Sequence, residues 1–251
     1  MRCEQIVRFN WPFYAAAGLA TAAAPFVLPR LPALWWIRVP AYVAAGLVAM
    51  WLIASLVSSW IVYDRSRLMQ WDWVLQAIGF SPLSWINIHA GHDESSDALR
   101  TIFKNARGRV FDIFAAGEMT EPSIARARAL HAQEHAEPGA PVAEQVDYRK
   151  LPLPNGTIDV ATLLLSAHEL RSEDARGALF TELRRVLGPA GRVVVVEHLR
   201  DWANFLAYGP GAFHFHSRRT WVRCFTRHRF DIHREFSITP FVRVFVLRRL
   251  T

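Results

Sequence analysis

Two long segments without a charged side chain constrain the fold more than any other feature of the chain. Residues 9–29 and 39–62 contain no Asp, Glu, Lys or Arg. An α-helix rises about 1.5 Å per residue, so roughly 20 residues cross the ~30 Å hydrocarbon layer of a bilayer. Both segments are long enough, and the sequence therefore predicts a transmembrane helical hairpin over residues 1–62.

The two segments differ in how regular a span they predict. The second is rich in Leu, Ile, Val and Trp, whereas the first is rich in Ala and contains Pro12, Pro25 and Pro29. Proline interrupts helical hydrogen bonding, so the first segment is typical of a tilted or kinked span, or of a re-entrant segment paired with the second. Tryptophans near the segment ends resemble the aromatic belt of membrane proteins. They are Trp11, Trp35, Trp36 and Trp60.

Two other interpretations of the apolar segments are weaker. A helical hairpin buried inside a soluble protein normally keeps a polar face at the 3.6-residue period, and neither segment has one. A cleaved signal peptide would need a small-residue cleavage site ahead of a soluble chain. Here Glu4 lies in the basic region that precedes the first segment, and the second apolar segment follows directly.

The arginines around the hairpin predict which side of the membrane the rest of the chain faces. Those that flank the hairpin outnumber those in its loop, with Arg2, Arg8, Arg65 and Arg67 against Arg30 and Arg38. Because positive residues favour the cytoplasmic side, the domain after the hairpin is expected in the cytoplasm, at a bacterial-type inner membrane. Cys3 and Cys224 form no redox or zinc motif, which agrees with a reducing compartment.

The net charge favours lipid over nucleic acid as a partner. The chain has 29 Lys and Arg against 22 Asp and Glu, a formal charge of +7, and it is 52% hydrophobic. Basic charge combined with an apolar surplus favours a membrane surface, and the sequence has no nucleic-acid recognition element. One basic cluster is expected to face anionic headgroups or to form a solvated helix. Its members are Arg218, Arg219, Arg223, Arg227 and Arg229.

A bridging segment follows the hairpin over residues 63–83. Four apolar residues recur there at helical spacing and form one stripe: Leu68, Trp71, Leu75 and Ile78. The spacing predicts an amphipathic helix. Such a helix would either lie on the membrane or pack on the following domain.

From residue 84 onward, short apolar runs alternate with helical patterns. Strands are predicted over 85–89, 109–114, 142–146, 158–165, 192–197, 230–238 and 241–247, and helices over 95–106, 122–135, 173–187 and 218–227. This alternation predicts an α/β domain over residues 84–251, with a doubly wound sheet of seven strands that ends in an antiparallel strand. In such sheets, ligands bind beyond the carboxyl ends of the strands.

The second half of this domain contains its most specific motifs. Asp147 is followed by LPLPNG, by the strand IDV, and later by the turn LGPAG ahead of the apolar strand RVVVVE. These residues resemble class I S-adenosylmethionine-dependent methyltransferases, above all the ubiquinone and menaquinone C-methyltransferases. The resemblance implies a Rossmann-like fold, S-adenosyl-L-methionine as cofactor and methyl transfer as the reaction. It is strong over residues 147–198 and does not cover the hairpin.

The resemblance also implies which residues bind the cofactor. Asp147 corresponds to the acidic residue that accepts a hydrogen bond from the adenine amino group, and Tyr148 would pack on the adenine ring. Asp112 ends the second strand, where a ribose-binding carboxylate is expected, and Glu118 is the alternative for that role. Ser166, which follows the fourth strand, is also assigned to the cofactor.

The first strand-to-helix turn departs from the family pattern. The family carries an acidic residue and three glycines there, whereas this chain has NIHAGHDES. Asn87 stands at the acidic position, and Gly91 is the glycine that is retained. His89 and Asp93 stand at the two other glycine positions and are included among the expected cofactor-binding residues.

The residues at the end of this turn offer a different way to hold the cofactor. Ser95 is expected to cap the next helix, whose amino terminus would still donate to a carboxylate. Asp93 and Glu94 are candidates to meet the ammonium or sulfonium charge of the cofactor. The alternative is a degraded pocket that binds no ligand.

Candidate catalytic residues follow the fourth and fifth strands. Methyl transfer to an oxygen or an acidic carbon needs a base, and a His side chain with an unperturbed pKa of ~6.5 suits that role. His168 is the first candidate, with Glu169 and His214 next. His214 and His216 would point the same way in an extended chain, but without a neighbouring carboxylate or Cys no metal is expected.

These features predict a membrane-anchored methyltransferase that acts on a small apolar or membrane-dissolved acceptor, such as a quinone, an isoprenoid phenol or a lipid. Two alternatives stay open from the sequence. One is a methyltransferase-fold protein that transfers a different part of the cofactor, and the other is a non-catalytic membrane scaffold. Expected partners are membrane lipids and a small hydrophobic substrate; a homo-oligomer is an open option, and nucleic acid is not expected.

Overall fold

The chain begins with two long apolar helices. The structure is a computed structural model that describes residues 3–30, 32, 35–134 and 143–250. Helix α1 (Cys3–Val27) is followed by a 3-10 turn, and helix α2 (Trp35–Ser59) continues into a π turn over Trp60–Arg65. By length and composition, both helical segments are long and apolar enough to cross a membrane.

α1 and α2 pack against each other as a hairpin. The hydroxyls of Tyr14 and Ser55 lie 3.2 Å apart, and the backbone N–H of Cys3 donates to Asp64 at 2.9 Å. α1 runs as one helix through its internal prolines. Many large apolar side chains on the hairpin are exposed, and this is the kind of surface that a bilayer covers. Among them are Phe13, Leu19, Phe26, Trp35 and Ile53.

The bridging segment is not the single amphipathic helix that the spacing predicts. It consists of the end of the π turn, a 3-10 turn over Leu68–Gln70 and a short helix α3 (Trp73–Ile78). Trp71 breaks the helix because it adopts a left-handed backbone with φ of 60°. Its indole is nevertheless buried, as are Leu68 and Ile78. The apolar residues of the stripe therefore pack on the following domain.

The rest of the chain forms a doubly wound sheet, as the alternation predicts. The strand order is β3-β2-β1-β4-β5-β7-β6, with parallel pairing except for β7, which is antiparallel to both β5 and β6. The strands are β1 (Ser84–His89), β2 (Arg107–Asp112), β3 (Glu144–Gln145), β4 (Ile158–Leu164), β5 (Leu187–His198), β6 (Phe230–Thr239) and β7 (Val242–Arg249). The helices are α4 (Ser96–Ile102), α5 (Pro122–Glu134), α6 (Glu173–Val186), α7 (Trp202–Tyr208) and α8 (Arg218–Arg227).

Several element boundaries differ from the sequence prediction, most clearly those of β5, β3 and α7. β5 begins at Leu187 rather than at residue 192, because Leu187 already pairs with Ile158, and the Gly-Pro-Ala-Gly segment lies within the register shift before Arg192 pairs with Val160. The strand predicted over 142–146 is observed at Glu144–Gln145, and residue 142 lies outside the described residues. α7 forms in a segment for which no helix is predicted, with Asp201 as its N-cap.

Both faces of the sheet are buried. Side chains of successive strand residues point to opposite faces, so the valine run in β5 divides between two apolar clusters. Val193 and Val195 contact the cluster that contains α6 and α8, whereas Val194 and Val196 contact the cluster that contains α3 and α4. This division explains why the central strands read as uninterrupted apolar runs.

The hairpin docks at the edge of the sheet where the parallel strands end. α2 packs on α7, which follows β5, and the rings of Trp51 and Phe205 lie 5.8 Å apart in an edge-to-face arrangement. Gly209, after α7, lies directly against the Trp51 indole: a Cβ on Gly209 would fall 2.6 Å from a ring carbon. The backbone there also has a φ of 55°, which favours glycine.

Two arginines of the basic cluster lie at the opposite edge of the sheet. Arg227 and Arg229 line a groove of about 820 Å³ together with residues that precede β4, among them Asn155 and Gly156. This edge faces away from the docked hairpin. The position of these two side chains therefore gives no support to the expected contact with the lipid that surrounds the hairpin.

Gly209→Ala is expected to destabilise the docked hairpin, by roughly 1–3 kcal/mol as for other overpacked sites. The added methyl group would collide with Trp51, and alanine disfavours the backbone conformation. Gly211→Ala is the matched control, because the nearest atom to a Cβ at that position lies 3.9 Å away. Thermal unfolding in detergent, followed by tryptophan fluorescence, measures the effect. Equal melting temperatures for the two variants would contradict the packing described.

Candidate functional site

Asn87 fixes the first strand-to-helix turn through a buried network. Its side-chain amide donates to the hydroxyls of Ser95 and Ser96 at 2.8 and 2.9 Å, and its carbonyl accepts from Thr162 at 2.7 Å. The side chain is 1% exposed. The residue at the family's acidic position is therefore neutral, and its polar atoms are used within the protein.

Asp93, rather than Ser95, caps α4. Its carboxylate accepts from the backbone N–H groups of Ser95 and Ser96 at 3.2 and 3.0 Å. Ser95 occupies the N-cap position, but its hydroxyl makes no capping bond, so the expected Ser95 cap is wrong. Burial opposes ionisation of Asp93, but the charge of His89 and the bonds from Ser96 lower its pKa. The backbone N–H groups at the start of α4, which were expected to bind a cofactor carboxylate, thus donate to the Asp93 side chain.

Glu94 and His92 lie at the junction between this turn and the hairpin. The ring of Phe9 in α1 packs on His92 with centroids 5.7 Å apart, and His92 Nδ1 lies 3.7 Å from Glu94 Oε1. The other carboxyl oxygen of Glu94 is buried without a hydrogen-bond partner among the described residues. Burial, with a smaller contribution from Asp93, raises the pKa of Glu94 to about 8.

Asp112 lies at the carboxyl end of β2, directly beside His89 in the pairing with β1. It accepts from the backbone N–H of Phe114 at 3.0 Å and from Arg128 at 2.6 Å. The Arg128 guanidinium also stacks on the Phe114 ring at 4.2 Å. The carboxylate therefore stands where a ribose-binding group is expected, with a paired arginine beside it.

The other residues assigned to the adenosine differ in exposure. Asp147 is exposed just after β3 and accepts from the backbone N–H of Arg149 at 2.9 Å. Tyr148 is only 1% exposed, because its ring belongs to the core of the domain, and its hydroxyl donates to Glu118 at 2.5 Å. Glu118 also pairs with Arg149. Asp147 and Glu118 are therefore both on the surface, and Glu118 is the one held by Tyr148 and Arg149.

Ser166 and Gly91, two of the expected cofactor residues, differ in what the structure requires of them without a ligand. Ser166 is buried, and its hydroxyl donates to the carbonyl of Ile88 at 2.9 Å, tying the end of β4 to β1. A Cβ on Gly91 would meet Ile124 at 3.5 Å, which is an ordinary van der Waals contact. Gly91 is therefore not required by the packing of the protein itself.

His168, Glu169 and His214 come together beyond the ends of β4 and β5. His168 and Glu169 lie on a 3-10 turn over Ala167–Glu169, and His214 ends a second 3-10 turn over Gly209–His214. The imidazole rings are 5.2 Å apart, and His168 Nε2 lies 3.4 Å from Glu169 Oε1. The strand-end rule predicts this convergence, although the two turns are separated by some forty residues of sequence.

Glu197 supports this group from β5. It is fully buried, its Oε2 lies 2.7 Å from His168 Nδ1, and its Oε1 accepts from the His168 backbone at 3.2 Å. Burial alone would lower the pKa of His168, but the charges of Glu197 and Glu169 outweigh it and raise the pKa to about 10. Burial and the charge of His168 lower the pKa of His214.

Aromatic side chains from the start of the bridging segment and from the segment that follows β5 form a wall beside this group. His198 stacks on Phe215 at 5.0 Å and lies 5.6 Å from Tyr208, and the Tyr63 hydroxyl lies 3.1 Å from His198 Nε2. Phe215 in turn contacts His168 at 6.3 Å. Sequence reasoning missed Tyr63, because nothing in its local pattern indicates a contact 135 positions away.

Comparison with known proteins gives similarities to methyltransferases. Residues 101–195 match the family model of the methyltransferase domain. The ubiquinone/menaquinone biosynthesis C-methyltransferase of Burkholderia vietnamiensis is 43% identical over 56 residues, which is 22% of this chain and 22% of that protein. The curated match thus spans about a fifth of the length of that relative.

Two solved structures have a similar fold. A SAM-dependent methyltransferase from Aquifex aeolicus superposes with a TM-score of 0.54 at 15% identity, covering 73% of this chain and 93% of its own. Geranyl diphosphate C-methyltransferase from Streptomyces coelicolor A3(2), solved with Mg²⁺, geranyl diphosphate and S-adenosyl-L-homocysteine, gives 0.51 at 15% identity, covering 77% and 82%.

The chain therefore has the fold of S-adenosylmethionine-dependent methyltransferases, and residues 101–195 within that fold match the methyltransferase-domain model. The family match begins at Thr101. It therefore starts beyond the turn between β1 and α4, which is the part of the site where Asn87 and Asp93 depart from the family pattern.

Asn87→Asp tests this altered turn. An aspartate would restore the family's acidic residue, but Asn87 Nδ2 lies 3.2 Å from Asp93 Oδ1, so two carboxylates would meet in a buried site. We expect a loss of roughly 1–3 kcal/mol in the free energy of unfolding at neutral pH, the usual cost of an unsatisfied buried group. Adding Asp93→Asn should recover part of it. Denaturant unfolding measures both, and a fully stable single variant would contradict this account of the turn.

Proposed function

We propose that the protein is a membrane-anchored S-adenosylmethionine-dependent methyltransferase that acts on a small apolar or membrane-dissolved acceptor. The observation that carries this proposal is the docking of the hairpin at the carboxyl edge of the sheet. Phe9 contacts the first turn, Trp51 contacts α7, and Tyr63 contacts His198. An acceptor dissolved in the bilayer would thus meet the reacting groups without crossing bulk water, and proximity would contribute to the rate.

The acidic residues around the cofactor turn fit S-adenosyl-L-methionine. The exposed carboxylate of Asp147 would accept from the adenine amino group, Asp112 at the end of β2 would bond the ribose hydroxyls, and the unpartnered buried oxygen of Glu94 fits a cationic group such as the ammonium. When bound, the cofactor supplies an activated methyl group on a sulfonium. The protein's own task is to orient that group and to exclude water from it.

The acceptor end combines an aromatic wall with a proton-handling group. Phe215, Tyr208 and His198 present ring faces and edges that suit a flat, apolar acceptor such as a quinone or an isoprenoid phenol, and a lipid is the wider class. His168, Glu169 and His214 gather beside this wall. Because the pKa of His168 is raised to about 10 and that of His214 is lowered, the neutral His214 is the imidazole of this group that would accept a proton from the acceptor.

The membrane topology belongs to the same proposal. The two apolar helices would form a multi-pass anchor in a bacterial-type inner membrane, with the catalytic domain in the cytoplasm. Support comes from their length and composition and from the arginine count at their ends. Membrane lipids and the apolar acceptor are the proposed partners, and a homo-oligomer is compatible with them.

A second candidate function is transfer of a different part of the cofactor. It is favoured by the cap of Asp93 on α4, which takes the backbone donors that would otherwise hold the cofactor's carboxylate. A cofactor bound in a different orientation would direct a different carbon–sulfur bond of its sulfonium at the acceptor. The mass of the product distinguishes the two functions. A non-catalytic scaffold is the third, and it predicts no product at all.

Binding of the cofactor is expected to release a proton from Glu94. With its pKa raised to about 8, the carboxyl group is protonated at pH 6.5, and a bound ammonium would ionise it. Because the pKa is raised, affinity should grow as the pH rises from 6.5 towards 8. Calorimetry in two buffers of different ionisation enthalpy measures the proton release. Glu94→Gln should abolish the release, and equal heats for the unaltered protein in both buffers would contradict the prediction.

The activity itself is tested with the full chain in lipid nanodiscs. Incubation with methyl-labelled S-adenosylmethionine and a bacterial membrane extract should give a labelled, apolar product whose mass has grown by one CH₂ group. Asp147→Ala should reduce the yield through weaker cofactor binding, and Asp231→Ala is the control, because this half-buried acid on β6 pairs with Arg248 and not with a candidate site residue. A larger mass gain would favour the second candidate, and no product from folded protein would refute both.

A further inference from the structure

The group at the acceptor end has the composition of a metal centre. His168, Glu169 and His214 each offer one ligand atom, and the three atoms lie within 4.8 Å of one another. Two imidazoles and one carboxylate form a ligand set that Zn²⁺ and related first-row ions take in proteins, with a further position left open. We propose that these three side chains bind a divalent transition-metal ion, with Zn²⁺ as the best fit.

The distances within the group suit such an ion. His168 Nε2 lies 3.4 Å from Glu169 Oε1. In a tetrahedral site with bonds of ~2.1 Å, two ligand atoms are about 3.4 Å apart. The other oxygen of Glu169 is buried and has no hydrogen-bond partner among the described residues. The carboxylate therefore has a buried acceptor that a cation would satisfy.

The surroundings of His168 match those of a metal-bound histidine. A ligating imidazole typically donates its second N–H to a carboxylate, which fixes the ring and directs the other nitrogen at the metal. Glu197 lies 2.7 Å from Nδ1 of His168, and this leaves Nε2 on the side of Glu169. Glu121 lies 3.6 Å from Nδ1 of His214 and is placed to support that ring in a similar way.

The charges of the group also favour a cation. Glu169 and Glu197 bring two carboxylates into a largely buried site. The guanidinium of the nearby Arg171 donates to the backbone carbonyls of His168 and His214 and so ties the two turns together. A divalent ion would displace the proton from Nε2 of His168 and take its place in balancing the two carboxylates. Mg²⁺ fits less well, since it prefers an octahedron of oxygen ligands.

Three protein ligands leave a position for an exogenous ligand. The His214 side chain is 28% exposed, so this side of the group is accessible. There the ion would hold a hydroxyl oxygen of the acceptor and lower the pKa of that hydroxyl, with the proton leaving to solvent. This use of the ion rests on the proposed function, whereas the binding of the ion does not.

Metal binding is tested on the full chain in detergent, after removal of adventitious ions with a chelator. Added Zn²⁺ should remain at one ion per chain after gel filtration, by elemental mass spectrometry, and Co²⁺ should give the visible absorption of a four- or five-coordinate site. His214→Ala and Glu169→Gln should lose the ion. Glu197→Gln should weaken binding by roughly 10- to 100-fold, as supporting residues do. His233→Ala, which removes an exposed His on β6, should bind as the unaltered protein does.

Several results would overturn the metal site. The folded, unaltered protein could fail to retain Zn²⁺ or Co²⁺. Both His214→Ala and Glu169→Gln could retain the ion, or the protein could bind Mg²⁺ alone. Glu169→Gln keeps the size of the side chain, so it remains informative if His214→Ala fails to fold, and thermal melting checks both. A parallel cofactor titration separates the two proposals. Zn²⁺ binding without cofactor binding would keep this site and refute the proposed function, and the reverse would refute only the metal.

Discussion

The contact between the apolar hairpin and the carboxyl edge of the sheet determines how the rest of the molecule is arranged. Trp51 fits against Gly209, where a side chain would collide with the indole, and Tyr63 reaches His198. Because parallel strands all end at this edge, every loop that bears a candidate site residue lies there too. The hairpin is therefore a wall of the site as well as a candidate membrane anchor, and changes in one are expected to affect the other.

Much of the fold could be predicted from the sequence, because the signals were local. The valine run of β5 and the alternation of apolar runs with helical patterns are sufficient for a doubly wound sheet. The bridging segment was mispredicted for a physical reason. Its apolar spacing is helical, but the left-handed backbone at Trp71 breaks the helix, and burial of the indole against the domain compensates. The spacing of apolar residues predicts correctly that this stripe is buried. It does not predict whether the stripe lies on one continuous helix.

The location of the candidate site could be predicted from the sequence, but the hydrogen-bond partners of its side chains could not. The rule that ligands bind at strand ends brings His168 and His214 together from distant parts of the sequence. It does not reveal that Glu197 supports His168, nor that Asp93 caps α4 in place of Ser95. The expectation of no metal at His214 and His216 rested on the lack of a neighbouring carboxylate or Cys in sequence, and Glu169 comes close to His214 only in the folded chain.

The altered first turn makes cofactor binding the central question. The full chain in detergent, titrated with S-adenosyl-L-methionine in a calorimeter, answers it most directly, because the measurement needs no acceptor. The account predicts saturable binding at one site per chain, weakened by Asp112→Asn, which keeps the size of the side chain but removes the charge beside Arg128. Absence of any binding heat at millimolar cofactor, from protein shown to be folded, would contradict it.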